Sequence, residues 1–284
     1  MKKYRMSAIL AAGAAALVMT AGCNCKKAAG CDLSNLPEYN EAGRRSAYAA
    51  YTATPAGADG KLDEAAWKNA PAYHLTRPIN WKSYYKDLTP EQLAKYGDSI
   101  NVMEDCTMQM LYDNENLYLG FQLTDTEIKA KGTKDQEAHF VLGDLVEIFI
   151  KPENQDYYWE MYSTPKEHKT CYEFVGCRKG AEGNENLQLD FSVASNVNGT
   201  IEEPSDTDKG WSTVVTIPLK SLAKYGEEFK GDGSWTLLIG RYNYLNDSFP
   251  KEELSAFPQI TAVDFHALPE YAAIKFLPSK SCNK

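Results

Sequence analysis

From Cys106 onward the chain is a succession of short runs in which apolar and polar positions alternate, broken by clusters of turn residues. Cys106–Tyr112 and Leu117–Leu123 flank Asp113-Asn114-Glu115-Asn116 and predict two strands joined by a turn. Leu145–Lys151, Tyr157–Ser163 and Thr170–Val175 read the same way, with Pro152-Glu153-Asn154 and Pro165-Lys166-Glu167 between them. Leu187–Val193, Trp211–Ile217, Trp235–Tyr244 and Tyr271–Leu277 complete the set. Many short strands at this spacing predict a β-sandwich or barrel. Helical signals are minor. Thr89-Pro90-Glu91-Gln92 is a capping-box start that Gly97 stops after two turns, and Asp63–Asn69 is a second short candidate with Glu64 and Lys68 one helical turn apart.

The first residues have a different pattern. Lys2, Lys3 and Arg5 precede an uncharged Ala- and Leu-rich run, Met6–Thr20. A spanning helix needs about 20 apolar residues, so this run fits the core of a signal peptide instead. It ends in Thr20-Ala21-Gly22-Cys23, which resembles a bacterial lipobox with Cys23 as the lipidated residue; Thr20 stands where the pattern usually has Leu. The expected organisation is a signal peptide over 1–22, a lipidated tether over 23–50 and a β domain over 51–280. The tether is expected because Lys26–Gly30 and Asn40–Ala50 are polar or small and lack periodicity. The expected location is the bacterial cell envelope, exported and held to the outer membrane or cell surface by the lipid.

Charge and cysteine content narrow the chemistry. The net charge of −9 becomes −12 once the signal peptide is removed, which argues against nucleic acid, whose phosphates call for a basic patch. Cys25, Cys31, Cys106, Cys171, Cys177 and Cys282 remain beside Cys23. They fit an oxidising compartment, and Cys171 and Cys177 are spaced to bridge across a tight hairpin. No paired Cys-x-x-Cys motif points to zinc.

Several landmarks then occur in a familiar order. Asp59-Gly60-Lys61-Leu62-Asp63-Glu64-Ala65-Ala66-Trp67 resembles the opening signature of the family 9 carbohydrate-binding modules. Tyr112–Leu119, Gly143–Ile150, Trp211–Pro218, Arg241–Asn243 and Asp264–Tyr271 are similar to the later ones. The resemblance covers residues 59–277. It implies an antiparallel β-sandwich of jelly-roll type with one or two short helices, binding poly- or oligosaccharide without catalysis. It also implies polysaccharide-degrading enzymes as partners, although no enzyme domain accompanies the module in this chain.

Sugar recognition needs aromatic faces for the C–H side of a pyranose and planar polar groups for its hydroxyls, on a preformed surface. Trp81 sits in a loop-like segment that no strand pattern claims. Tyr157–Tyr162 alternates so that Trp159 and Glu160 face opposite ways, one to the core and one to a ligand. Arg241 and Asn243 end one face of a strand, where they can meet a ligand or bind the sheet together. Buried Glu147 would need a partner, and Arg241 is the natural guess. His266 completes the candidate sugar-binding set: Trp81, Trp159, Glu160, Arg241, Asn243 and His266. Trp67 and Trp211 read as core. No cofactor is expected, with Asp144 and Asp264 as candidate contributors to a calcium site. No hydrolase, P-loop, G-x-S-x-G or H-E-x-x-H motif is present, and no enzymatic activity is expected. The alternatives are a structural component of envelope assembly and a haem-binding sandwich using Met103, Met108, Met110 or Met161 with His139 or His168.

Overall fold

A computed structural model describes residue 38 and residues 43–244 and 252–278. Cys23, Cys25, Cys31 and Cys282, with the signal peptide and most of the tether, lie outside the described residues. The strands are β1 (Ser46–Tyr51), β2 (Tyr73–His74), β3 (Cys106–Tyr112), β4 (Asn116–Leu123), β5 (Leu145–Pro152) and β6 (Tyr158–Ser163). There follow β7 (Lys169–Phe174), β8 (Ser192–Asn198), β9 (Gly210–Pro218), β10 (Asp232–Asn243), β11 (Glu253–Phe257) and β12 (Ala272–Phe276). The α-helices among the described residues are α1 (Pro90–Asn101) and α2 (Leu219–Leu222). None is long and apolar enough to cross a membrane.

The strands pair in the order β7-β6-β5-β10-β12-β1-β3-β4-β9-β8, with β11 on β10 and β2 on β3. The class is all-β, as the alternation predicts, and pairing runs unbroken through one curled sheet. Its two ends meet. Ser163 Oγ lies 2.7 Å from Thr213 Oγ1, and Ser195 Oγ donates to Thr164 O at 2.9 Å. Period-2 alternation sends Val146, Ile148, Trp159, Met161, Trp235, Leu237, Phe121 and Val215 to one inner core. At its centre Trp159 and Trp235 stack at 6.2 Å with planes 8° apart.

Three expectations change here. Residues 46–50, assigned to the tether, belong to β1, which runs parallel to both β12 and β3 at the middle of the sheet. Ala47 and Ala49 face the inner core while Tyr48 and Ala50 face a second cluster with Trp67, so neither face is polar and no alternation marks the strand. The strand expected at Leu187–Val193 begins instead at Ser192; Leu189 and Phe191 enter the core ahead of it. The Cys171–Cys177 bridge is absent, and both are free thiols. Cys171 points into the inner core, whereas Cys177 lies beyond the strand end and donates to His266 O on the other side of the sheet.

Candidate functional site

The register of β5 and β10 creates two buried polar clusters, one on each face. Val146 pairs with Arg241 and Glu147 with Gly240, so Arg241 follows Val146 into the interior while Glu147 points outward. Arg241 therefore cannot be the partner of Glu147.

On the inner face Arg241 is fully buried; its Nε has no partner among the described residues, while acceptors hold its two terminal nitrogens. It donates to Glu104 O at 2.9 Å, to Thr124 O at 2.6 Å and to Asn243 Oδ1 at 3.1 Å. The carboxylates of Asp125 and Glu104 stand 3.7 and 3.8 Å away. Asn243, fully buried too, donates to Glu104 Oε2 and Glu253 Oε2, both at 3.0 Å. Burial pushes the Asp125 carboxyl up to about 6, against the pull of Arg241. This is a charge network that ties β10 to the β3–β4 edge. Arg241 and Asn243, expected as ligand contacts, belong to it and present nothing to a ligand. Trp159 is corrected for a similar reason: its ring is enclosed in the core, 0 % exposed.

The outer face of β5, β6, β7 and β10 is built differently. Reading across the strands, Tyr172, Glu160 and Phe149 form one row, and Tyr162, Glu147 and Gly240 form the next. Glu147 and Glu160 are diagonal neighbours, close enough to share a hydrogen bond when one is protonated. Each carries a buried oxygen, Oε2, with no hydrogen-bond partner among the described residues. Burial raises both pKa values, and the charge of Glu160 holds the Glu147 proton well above the ordinary carboxylate range. Tyr162 donates its hydroxyl to Glu160 Oε1. Gly240 leaves room for this pair, since a Cβ there would lie 2.7 Å from the Phe265 ring and 3.2 Å from Glu147 Oε2.

His266 joins the same cluster. Tyr158 Oη accepts the Arg178 backbone N–H at 3.0 Å, so its own proton goes to His266 Nδ1 at 2.7 Å. The imidazole then carries its hydrogen on Nε2, which faces Glu160 Oε2 at 3.6 Å. Burial, with Arg178 nearby, pulls the His266 pKa down to about 4, so no cation balances the carboxyl pair from the histidine side.

Around this floor stand half-buried rings. Phe140 lies 6.4 Å from both Tyr162 and Tyr242, and Tyr172 lies 6.0 Å from Tyr162. Among the described residues the hydroxyls of Tyr172 and Tyr242 have no hydrogen-bond partner. Tyr84, which packs against the same outer cluster, donates to Glu252. The result is a surface of aromatic edges and unpartnered tyrosine hydroxyls, which can donate to and accept from a polyol, above a carboxyl pair that is itself buried, Glu147 at 3 % and Glu160 at 4 % exposure.

Of the six residues expected at the site, Glu160 and His266 come together there. Trp81 lies to its flank on a 3₁₀ turn, Trp81–Tyr85, with Arg77 stacked 4.1 Å from its ring centroid, so one face is already covered. Glu147, Tyr162, Tyr172 and Tyr242, which share this cluster, were not among the expected site residues. The signal for them was the unusual carboxylate at an apolar parity in two successive strands. The other proposed ligand sets do not assemble. Asp144 accepts backbone N–H groups of Lys129 and Tyr244, whereas Asp264 pairs with Arg178, and no metal-holding group of three or more His, Cys, Asp or Glu occurs among the described residues. Met108, Met110 and Met161 are core side chains at 0 % exposure, unable to reach a haem outside it.

No family model and no curated protein matches the chain. Solved structures do. A protein from Bacteroides uniformis ATCC 8492, provisionally described as carbohydrate-binding, matches at TM-score 0.58 and 15% identity, over 82% of this chain and 99% of that one. A family 9 carbohydrate-binding module from Caldicellulosiruptor kristjanssonii, in complex with cellotriose, matches at TM-score 0.51 and 14% identity, over 84% of this chain and 96% of that one. Landmarks in the sequence and strand arrangement thus agree: the chain has a fold like that of the family 9 carbohydrate-binding modules.

Proposed function

We propose that this protein is a non-catalytic carbohydrate-binding lipoprotein, exported by its signal peptide, anchored through Cys23 and presenting the outer face of β5–β6–β10 to a glycan. The observation that carries the reading is the Glu147–Glu160 pair, a buried pair of carboxyls without a counter-ion beneath half-buried tyrosines. The pair lies beneath the surface and holds Tyr162 by its hydroxyl, while the unpartnered hydroxyls of Tyr172 and Tyr242 above it donate and accept at once, which is what a sugar hydroxyl requires. Tyr172, Tyr242 and Phe140 supply the aromatic contacts that Trp81 and Trp159 were expected to give. The fold supports the same reading, with the two facing halves of the curled sheet as the layers of a jelly-roll sandwich.

Binding rather than hydrolysis is supported by the solved structures of like fold, which are described as carbohydrate-binding. An anchored binder of this kind holds polysaccharide at the envelope for separate degrading enzymes. A glycan array probed with the full chain tests the reading. Binding to one glycan class, lost in Glu160→Gln at unchanged melting temperature, is expected. A folded protein that binds no glycan would instead favour the role in envelope assembly.

A further inference from the structure

A groove of about 320 Å³ opens on the outer face of β4, β9 and β8, away from the carboxyl pair. Its origin is local. The loop that carries the opening sequence signature packs onto this face. Trp67 and Leu62 cover Gly120, and Gly57 covers Val214. Glu64 fixes the loop by accepting the Gly57 N–H and the Trp67 indole N–H. One step further along the same strands the cover ends, and the outward positions become Gln122, Ser212 and Asn196. These three are direct cross-strand neighbours, so they make a polar row across the sheet. Beyond them Asn198 is paired with Gly210, which has no side chain to fill the floor. A Cβ at Gly210 would fall 1.9 Å from Leu123 O, at a φ of +125°, so only glycine fits.

We propose that this groove is a second binding site, for a neutral oligosaccharide held by hydrogen bonds alone. The proposal rests on the glycan-binding reading above and adds a separate place for the ligand. Carboxamides offer donors and acceptors side by side, as sugar hydroxyls do. Among the described residues, those of Asn196 and Asn198 make no hydrogen bond. Ser212 donates to Gly60 O at 2.7 Å and keeps its oxygen as an acceptor. Lys61 and Lys209 on the walls are matched by Asp63 and by Asp59, which pairs with Lys61 at 3.0 Å. The charges cancel, so the groove does not select an ion. Its volume is at the lower end of ligand sites, roughly 300–1,000 Å³, and its open form suits a stretch of chain. No ring lies on its surface to stack, because Trp211 turns inward at 1 % exposure. Affinity at the groove alone is therefore lower than at the first site, and the two outer faces bind independently.

Calorimetric titration of the full chain with cellotriose, xylotriose and mannotriose, together with a longer neutral oligosaccharide chosen from the array, tests this. Two sites per chain are expected. Gln122→Ala with Asn196→Ala should weaken one of them at least tenfold, while Glu160→Gln or Tyr172→Ala weakens the other. Asn198→Ala, at an exposed position, checks the groove without risk to the fold. A single site lost in Glu160→Gln and untouched by the groove variants would overturn the second site and leave the first reading intact. Absence of binding to any sugar would overturn both. Groove binding confined to oligogalacturonate and abolished by Lys209→Ala would overturn the neutral ligand.

Discussion

Two acid clusters lie on opposite faces of the sheet where β5 pairs with β10, one around Arg241 and the other around Glu147, and they are built on opposite principles. The inner cluster surrounds a guanidinium. Arg241 neutralises its neighbouring carboxylates and is itself hydrogen-bonded to backbone carbonyls of Glu104 and Thr124. The outer cluster has two carboxyls, a neutral imidazole and tyrosines, with Arg178 turned away to Asp264. A buried charge that has its counter-ion and its hydrogen bonds is part of the framework. A carboxyl pair kept without one has no such framework role, and this marks the outer face, rather than the inner one, as the candidate site.

The comparison breaks first at Arg241. Arg241→Ala should cost about 3–5 kcal/mol in urea unfolding, because Glu104 and Asp125 stay buried without their cation. Glu147→Gln and Glu160→Gln should each change stability by less than about 1.5 kcal/mol, since an amide donor replaces the shared proton. Equal losses on the two faces would show that both clusters are structural. Next in size is binding: Glu160→Gln should weaken glycan affinity about tenfold or more, equivalent to ~1.4 kcal/mol. Tyr172→Ala should weaken it several-fold.

The smallest effects are in pH dependence, and there the outer cluster carries two opposite signs. Glu147 has a raised pKa in the folded state, so its contribution is fully present below the ordinary carboxylate value of 4.5 and is lost as pH rises through the folded value. Glu147→Gln should therefore gain stability relative to the parent as pH rises above 4.5. His266, pulled from 6.5 to about 4, contributes stability at neutral pH that is lost as pH falls across that window. His266→Asn should lack that loss. Thermal melts at pH 4, 5, 6 and 7 read both, and parallel curves for parent and variants would remove the neutral-histidine, protonated-carboxyl description.

Much of the fold was legible because burial on one face writes itself into alternation, as in Cys106–Tyr112 and Trp211–Ile217. It failed where burial is two-sided or absent. β1 is buried on both faces with small side chains, and β8 is a polar edge strand whose residues 193–197 are all half-buried. The site was legible only in part, for a related reason. Parity along one strand correctly separated Trp159 from Glu160 but could not say which face was interior. It also placed Arg241 beside the apolar residues of its strand without revealing Glu104 and Asp125, which come from a segment more than a hundred residues away. The Glu147–Arg241 pairing failed by one residue of register, which only the cross-strand alignment of β5 with β10 supplies.

The central claim is that a glycan binds the outer face above the carboxyl pair and not the inner network. It is tested most directly by titrating the parent and Glu160→Gln with the glycan selected on the array, at pH 7, with melting temperatures measured alongside. Affinity lost at least tenfold at an unchanged melting temperature is the predicted result. Undiminished affinity in a folded Glu160→Gln protein would contradict it.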